Sequence, residues 1–371
     1  MKVKEITLII AEGCNLECKY CYQHNKMNVM MDYEMAVGII DDTYSEISNY
    51  DVGIIHLFGG EPFLNFELIK RIDSYVLEKY SNVYFDIITN GTLVHNEIQD
   101  WVMERCERYN ITLSLDGKKE THDMNRPIQS GKSSFDLIDL NFFRKMKSNC
   151  AIRMTISDIT LPFFAENVIW INQQGFLCQA LFAMGVKWDL NENKKQTLKE
   201  QLDKLKDYYI ENDDKELCLA LRYNPNDIYI DPCTQKKICA FSENPCYGTD
   251  GHKYYCTGFS KITLGKDYSK FEAMCGDFSI EGKKSVCLNC NLCVLCKRVK
   301  LCYASNYQAT GDIYKISEDQ CYINRECIKA SMKIQRERLN NKYKNNCIEQ
   351  REYESEYRAI IRVCKELDRI S

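Results

Sequence analysis

Three cysteines stand close together near the N-terminus, Cys14, Cys18 and Cys21, in the run C-N-L-E-C-K-Y-C. Thiolates are soft ligands suited to iron–sulfur chemistry. At C-x3-C-x2-C spacing they supply three ligands to a [4Fe–4S] cube and leave the fourth iron without a protein ligand. Cysteine-held cubes ordinarily take four thiolates, so an open iron implies a cluster with work to do there. A structural zinc site is the other reading that such spacing invites. A second field of cysteines crowds between Cys233 and Cys327, with C-x2-C repeats at Cys287, Cys290, Cys293 and Cys296. The chain has 21 cysteines and no basic segment leading into an apolar export signal. They therefore read as metal ligands or free thiols rather than as a disulfide framework. Scattered ones (Cys106, Cys150, Cys178, Cys218, Cys347 and Cys364) read as small buried hydrophobes.

The elements that must position the triplet alternate strand and helix patterns. Apolar, β-rich runs at Lys4–Ala11, Gly53–Phe58, Val83–Thr89, Ile111–Leu115, Ala151–Ser157 and Phe176–Met184 predict six strands. Helical spacing fills the intervals at Asp32–Ser48, Phe66–Tyr80, His95–Arg108, Phe135–Ser148 and Phe163–Gln174. Repeated β-α units imply a mostly parallel sheet with right-handed crossovers. The predicted fold is α/β: a partial (β/α)6 TIM barrel, with an open doubly wound sheet as the alternative, followed by a cysteine-rich domain. The cysteine loop, Gly59-Gly60-Glu61-Pro62, Thr89-Asn90-Gly91 and Ser114-Leu115-Asp116-Gly117 each follow a predicted strand. In a barrel that places them together at the C-terminal strand ends, where barrel chemistry sits. The expected organisation is a barrel over 1–190, a bridging helix and linker over 191–232, an iron–sulfur domain over 233–327 and a charged C-terminal helix over 328–371. The bridging helix is expected at Lys194–Asn212, its charges a solvated face. The segment after residue 233 is poor in long periodic runs, so clusters would act as its staples.

Composition narrows the functions. Charged residues are 27% of the 371, with a net charge of -4. That balance gives no general attraction to nucleic acid or an anionic membrane. No apolar run is long enough to span a bilayer, and the expected location is the cytoplasm.

Taken with the aromatic Tyr20 before its last cysteine, the triplet resembles the radical S-adenosylmethionine (radical SAM) superfamily. The G-G-E-P turn strengthens the resemblance, which implies that Gly59, Gly60, Glu61 and Pro62 hold the amino group of SAM. SAM's amino and carboxylate groups would chelate the open iron. The resemblance also implies an adenine contact from Tyr20 and a place near the ribose for Ser114 of S-L-D-G. Arg126, in H-D-M-N-R, implies a partner for the SAM carboxylate, a task that suits a planar bidentate donor. Asn90 is a weaker candidate, because N-G is first a turn signal.

The second cysteine field resembles a SPASM domain, the auxiliary-cluster module of peptide-modifying radical SAM enzymes. Cys239, Gly251 and Cys256 fit its first part, with Cys233 where sulfatase maturases carry a further ligand. Cys293, Cys296 and Cys302 fit C-x2-C-x5-C, and Cys321 fits the last position. Two auxiliary [4Fe–4S] clusters are implied; a zinc ribbon is the alternative for the C-x2-C pairs. Where the pattern places another cysteine, this chain has Asn306. Either Cys287 or Cys290 substitutes, or one auxiliary cluster keeps an open iron that a substrate thiolate could take.

The resemblances imply reductive cleavage of SAM to a 5′-deoxyadenosyl radical and modification of a ribosomally made, Cys-containing peptide. The kind implied first is Cys-to-carbon thioether crosslinking, as in sactipeptide, ranthipeptide and CXXX-repeat maturases. No side chain is assigned as catalytic. The alternatives are formylglycine formation by an anaerobic sulfatase maturase and a non-catalytic iron–sulfur electron carrier. Sulfatase maturases carry an aspartate after the second SPASM cysteine, where this chain has Thr257. The first strand begins within a few residues of Met1, so leader-peptide recognition is expected from another surface or a separate protein. An external electron donor of flavodoxin or ferredoxin type is implied.

Overall fold

The computed structural model describes residues 2–45, 47–128, 130–146, 149–226, 244–275, 302–313 and 315–369. The chain divides into two compact units. The first comprises residues 1–154, 174–176 and 240–278; the second comprises 155–173, 177–239 and 279–371.

The first unit is built on parallel strands β1 (Val3–Ala11), β2 (Val52–Gly59), β3 (Val83–Thr89), β4 (Tyr109–Ser114) and β5 (Cys150–Ile156), the last two residues of β5 belonging to the second unit. Each pairs in parallel with the next. Strict alternation drives this arrangement. Ile55, Leu57, Phe85, Ile87, Ile111, Leu113, Ile152 and Met154 are all buried on one face. The opposite face carries polar groups in register, Thr7 beside His56 and His56 beside Asp86. His56 links Glu5 at 3.0 Å and Asp86 at 3.2 Å across three strands. Among the described residues the sheet does not close on itself: beyond β1 its order continues into a hairpin of β7 (Cys246–Tyr247) and β8 (Lys253–Tyr254). The hairpin pairs through Thr7 and Leu8, and Thr7 N donates to the Pro245 carbonyl at 2.9 Å. The expected α/β architecture, a partial barrel of parallel strands that does not close, is therefore the one found.

Helices α1 (Tyr33–Tyr44), α2 (Phe66–Lys79), α3 (Glu97–Glu104), α4 (Lys119–Asn125) and α5 (Leu140–Lys145) follow the strands. Asp32 caps α1 by accepting from Met35 N at 2.9 Å. The helix expected over 135–148 is split. Asp139 accepts from Asn141 N and Phe142 N, both at 3.1 Å, and so starts α5 anew after a short 3-10 turn at Phe135–Leu137. The helix expected from His95 begins at Glu97, after Asn96 with φ of 45°. Short α8 (Lys261–Leu264) and α9 (Tyr268–Cys275) complete this unit.

The second unit holds α6 (Phe164–Gln173), β6 (Cys178–Phe182), α7 (Glu192–Glu211), α10 (Tyr303–Thr310), α11 (Glu318–Lys344) and α12 (Gln350–Asp368). Ala183 N donates to the Ile156 carbonyl at 2.8 Å, so the end of β5 lies beside the sixth strand. Leu198, Leu202, Leu205 and Tyr209 form the buried stripe of α7. Arg338 of α11 donates to the carbonyls of Tyr209 and Asn212 at the C-terminus of α7, and to that of Lys215 just beyond it, at 2.8–3.0 Å. The charged C-terminal stretch is two helices, turned at Asn346 with φ of 55°. Cys150, Cys178 and Cys218 are buried as expected, whereas Cys347 is exposed. No helix of the described residues is long and apolar enough to cross a membrane.

Candidate metal and cofactor site

The cysteine loop leaves the end of β1 and is held there by the turn after β2. Gly60 N donates to the Ala11 carbonyl and Glu61 N to the Gly13 carbonyl, both at 2.9 Å. The two backbones approach so closely that only glycine fits. A Cβ on Gly59 would lie 2.0 Å from the Ala11 oxygen, and one on Gly60 2.2 Å from the Gly13 oxygen. Glycine here removes the side chain that would separate the strand ends. Farther along the loop, Glu17 N and Lys19 N donate to the carbonyls of Pro127 and Asn125, both at 2.9 Å. The loop is thus fixed from both sides.

Cys14, Cys18 and Cys21 are all partly accessible. Cys14 Sγ accepts from Leu16 N at 3.5 Å and lies 3.9 Å from Asn90 Nδ2. Burial raises the Cys14 thiol, opposed by Lys26, and pushes Cys18 up to about 11, opposed by Arg126. Burial also works against the charge on Lys26, but Cys21, Cys14 and Cys18 outweigh it and hold its pKa above the ordinary value. Three thiols with two cations beside them form a donor set for a cationic cluster of soft metal. Among the described residues no three His, Cys, Asp or Glu side chains converge on a single ion. A cubane does not require that, since each thiolate binds a different iron.

Glu61 is buried between the ends of β2 and β3. One oxygen accepts from Phe63 N at 3.1 Å and the Thr89 hydroxyl at 2.8 Å, the other from Asn90 N at 2.8 Å. Burial pushes its pKa up to about 7 against those hydrogen bonds. A desolvated carboxylate of this kind is stabilised by a cation such as an ammonium. Pro62 begins the 3-10 turn that Glu61 caps. Asn90 is committed to scaffolding. Its Nδ2 donates to Asn15 Oδ1 at 2.8 Å, and its Oδ1 accepts from Thr92 N at 3.0 Å and the Thr92 hydroxyl at 2.7 Å. Asn15 donates back to Thr92 at 2.7 Å, closing a ring between the β3 turn and the cysteine loop.

Ser114 ends β4 and is buried, as are Asp116 and Arg126. Arg126 grips Asp116 bidentately, Nε to one oxygen at 2.9 Å and Nη2 to the other at 3.0 Å. Asp116 also accepts from the Tyr20 hydroxyl at 3.0 Å and Asn125 Nδ2 at 3.1 Å. The guanidinium lies 5.2 Å from the Tyr20 ring centre. Burial acts against the Arg126 charge, but Asp116 outweighs it and raises the pKa above the usual value. Beneath this pair, Asp116 N donates to His122 Nδ1 at 3.3 Å, and burial holds His122 down to about 4, hence neutral. Asp116 is the residue that sequence reasoning left without a role, although it lies in S-L-D-G ten positions before Arg126.

The segment after β7 packs on the same loop. Tyr22 and Thr257 hydroxyls are 3.4 Å apart, and Asn25 bonds the carbonyls of Ile262 and Thr263 at 3.0 Å. Thr249 donates to Glu12 at 2.7 Å. Gly251 has φ of 73° in this turn, and Cys256 is partly accessible. In the second unit Cys302 caps α10, accepting from Ser305 N at 3.5 Å, and Cys321 lies on α11. Asn306 is buried and donates from Nδ2 to the Ile313 carbonyl at 3.0 Å. Cys302, Asn306 and Cys327 line one cavity with Gln320 and Asn324. Cys233, Cys239, Cys287, Cys290, Cys293 and Cys296 lie outside the described residues.

Residues 8–155 match the Radical SAM superfamily model. An uncharacterized protein of Methanocaldococcus jannaschii is 33% identical over 202 residues, 52% of this chain and 65% of that protein. The radical SAM cyclopropyl synthase TigE of Paramaledivibacter caminithermalis is 26% identical over 230 residues, 56% of this chain and 46% of TigE. A cysteine-type anaerobic sulfatase-maturating enzyme of Clostridium perfringens is 27% identical over 161 residues, 40% of this chain and 43% of that enzyme. The chain thus spans less than two thirds of the length of these relatives. In fold it is similar to native anSMEcpe with bound AdoMet and Cp18Cys peptide, with a TM-score of 0.68 at 19% identity, over 92% of this chain and 99% of that one.

Proposed function

We propose, from the premise that residues 8–155 belong to the radical SAM superfamily, that this chain cleaves SAM reductively and modifies a ribosomally made peptide by linking a cysteine sulfur to a carbon. The observation that carries the reading is the coupling of the three-thiol loop to a buried cation-seeking carboxylate. Gly60 N and Glu61 N bond the backbone of that loop, and Glu61 lies beneath it.

Bound there, the [4Fe–4S] cluster and SAM would supply one electron and a 5′-deoxyadenosyl radical. Cys14, Cys18 and Cys21 would hold the cluster. Glu61 would take the ammonium of SAM, its geometry pre-set by Phe63, Thr89 and Asn90. Arg126 would face the SAM carboxylate, with Asp116 fixing the plane of its guanidinium. Tyr20 and Ser114 would border adenine and ribose. Asn90 would act at one remove, by holding Asn15 in the cysteine loop. Cys256, Cys302 and Cys321, together with the cysteines outside the described residues, would hold auxiliary clusters. Those clusters would accept the second electron that thioether formation releases, and a flavodoxin- or ferredoxin-type protein would supply the first.

Formylglycine formation is the second reading, favoured by the Clostridium perfringens relative. Against it stands Thr257, whose hydroxyl faces that of Tyr22 where a maturase of that kind would carry a carboxylate base. The test is mass spectrometry of Cys-containing candidate peptides after anaerobic co-expression with this chain. Thioether formation removes two hydrogen atoms and keeps the sulfur; formylglycine formation removes the sulfur. Recovery of unchanged peptide with active enzyme would sink the reading.

A further inference from the structure

A half-buried arginine on the sheet has no ion-pair partner among the described residues. Arg153 of β5 is the register partner of Ser114 of β4, and Leu115 N donates to its carbonyl at 3.0 Å. Ile152 and Met154 on either side are fully buried, as is Leu113 before Ser114. Strand alternation therefore turns Arg153 and Ser114 to the same, opposite face. Arg153 is half-buried; its Nε is shut off from solvent and has no hydrogen-bond partner. Among the described residues its guanidinium forms no ion pair. Burial holds its pKa below the usual arginine value, and the phenol of Tyr22 is the neighbour that works the other way.

Three other arginines are satisfied, and Arg108, whose Nε is also unpartnered, donates from Nη2 to the carbonyls of Tyr80 and Val83. Arg126 has Asp116, Arg105 has Asp73 at 2.7 Å, and Arg338 has three carbonyls. A charge taken out of water without a partner costs free energy, and an added carboxylate recovers it. The fork of a guanidinium suits a carboxylate bidentately. The cofactor's own carboxylate belongs beside the cysteines, since it would chelate the iron. The cations that act most on Cys14 and Cys18 are Lys26 and Arg126, not Arg153.

We propose that Arg153 is a substrate-binding residue that receives an acidic side chain of the peptide and so sets where the peptide lies against the ribose side of the SAM site. This inference rests on the peptide-modifying reading. It is a specificity element: a peptide with an acidic residue at the matching distance from the modified position is bound, and its neutral counterpart is bound less well.

The test uses the anaerobically reconstituted full chain with SAM and two fluorescent, C-terminally amidated mixtures of Cys-containing peptides. The mixtures differ only in Glu or Gln at one fixed position. The expected result is at least tenfold tighter binding of the Glu mixture, about 1.4 kcal/mol. In Arg153→Gln and Arg153→Met the Glu-to-Gln ratio collapses to near one, and Arg153→Glu shifts the preference to a third mixture with Lys at that position. Methionine keeps much of the apolar stem, so it guards against a folding loss in the glutamine variant. Equal binding of both mixtures by the unaltered protein overturns the inference. So does a loss in the variants that falls on SAM but spares decarboxylated SAM, because the carboxylate would then be the cofactor's. A preference that appears only with free-acid peptides keeps the carboxylate role but overturns the side-chain assignment. Glu-selective binding with no change in peptide mass would refute the modification reading and leave Arg153 standing. Equal modification of both mixtures would refute Arg153 alone.

Discussion

Removing Asp116 leaves a buried guanidinium without its counter-charge. Arg126 is 5% exposed and Asp116 fully buried, and the pair is bidentate at 2.9 and 3.0 Å. Asp116→Ala deletes both of those bonds and the acceptor for Tyr20 and Asn125. Breaking a buried ion pair from one side costs about 3–5 kcal/mol. At ~2–4 °C per kcal/mol for a domain of this size, the melting transition of the first unit falls by about 6–20 °C. Arg126→Met alone is expected to cost a similar amount, because Asp116 is then the stranded charge. The double variant removes both charges and should regain much of the loss. The assay is anaerobic thermal and urea unfolding of the cluster-free protein for all four members of the cycle. The account requires the double variant to be at least about 2 kcal/mol more stable than the sum of the single losses. Additivity within about 0.5 kcal/mol would refute the pair as a coupled unit.

Three further outcomes are expected. Gly60→Ala drives a Cβ to 2.2 Å from the Gly13 carbonyl, so iron per chain after reconstitution should fall sharply while Gly38→Ala, in open space on α1, should retain it. Burial works against protonated His56, but hydrogen bonds to Asp86 and Glu5 outweigh it and raise its pKa. A raised value means its stabilisation is present below about pH 6.5 and lost as pH climbs through the folded-state pKa. The stability gap between the unaltered protein and His56→Gln should therefore shrink from pH 6 upward to about pH 9 in urea melts; a gap that widened would contradict the Glu5–His56–Asp86 ladder. Asn306→Ala strands the Ile313 carbonyl, and unfolding of the second unit should show a loss of about 1–3 kcal/mol.

Much of the fold was legible because local pattern and tertiary role agree. Gly53–Phe58 and Val83–Thr89 are apolar runs, and Ile55, Leu57, Val83, Phe85 and Ile87, on alternate positions, are the residues buried in the core. Legibility failed where a side chain overrode the period. Asp139 carries no apolar signal, yet its two cap bonds split one expected helix. β7 and β8 have two residues each and exist only because β1 lies beside them, so no window of sequence could reveal them. Polar α4 lacks a periodic stripe and was missed for the same reason.

The site divides along the same line. Cysteine spacing and the G-G-E-P turn are contiguous, and both could be read directly. The Arg126–Asp116 grip, the Asn90–Asn15–Thr92 ring and the pairing of Arg153 with Ser114 depend on residues that only the fold brings together. Asn306 read as a missing ligand; in the fold its amide pins the turn after α10.

The central claim is that Cys14, Cys18 and Cys21 hold a cluster that cleaves SAM. The direct measurement is the yield of 5′-deoxyadenosine from SAM and a strong reductant under anaerobic conditions, for the reconstituted protein and for Cys18→Ala. The account predicts 5′-deoxyadenosine from the unaltered chain and none above background from the variant. Equal yields from both, or none from a chain carrying its full iron, would contradict it.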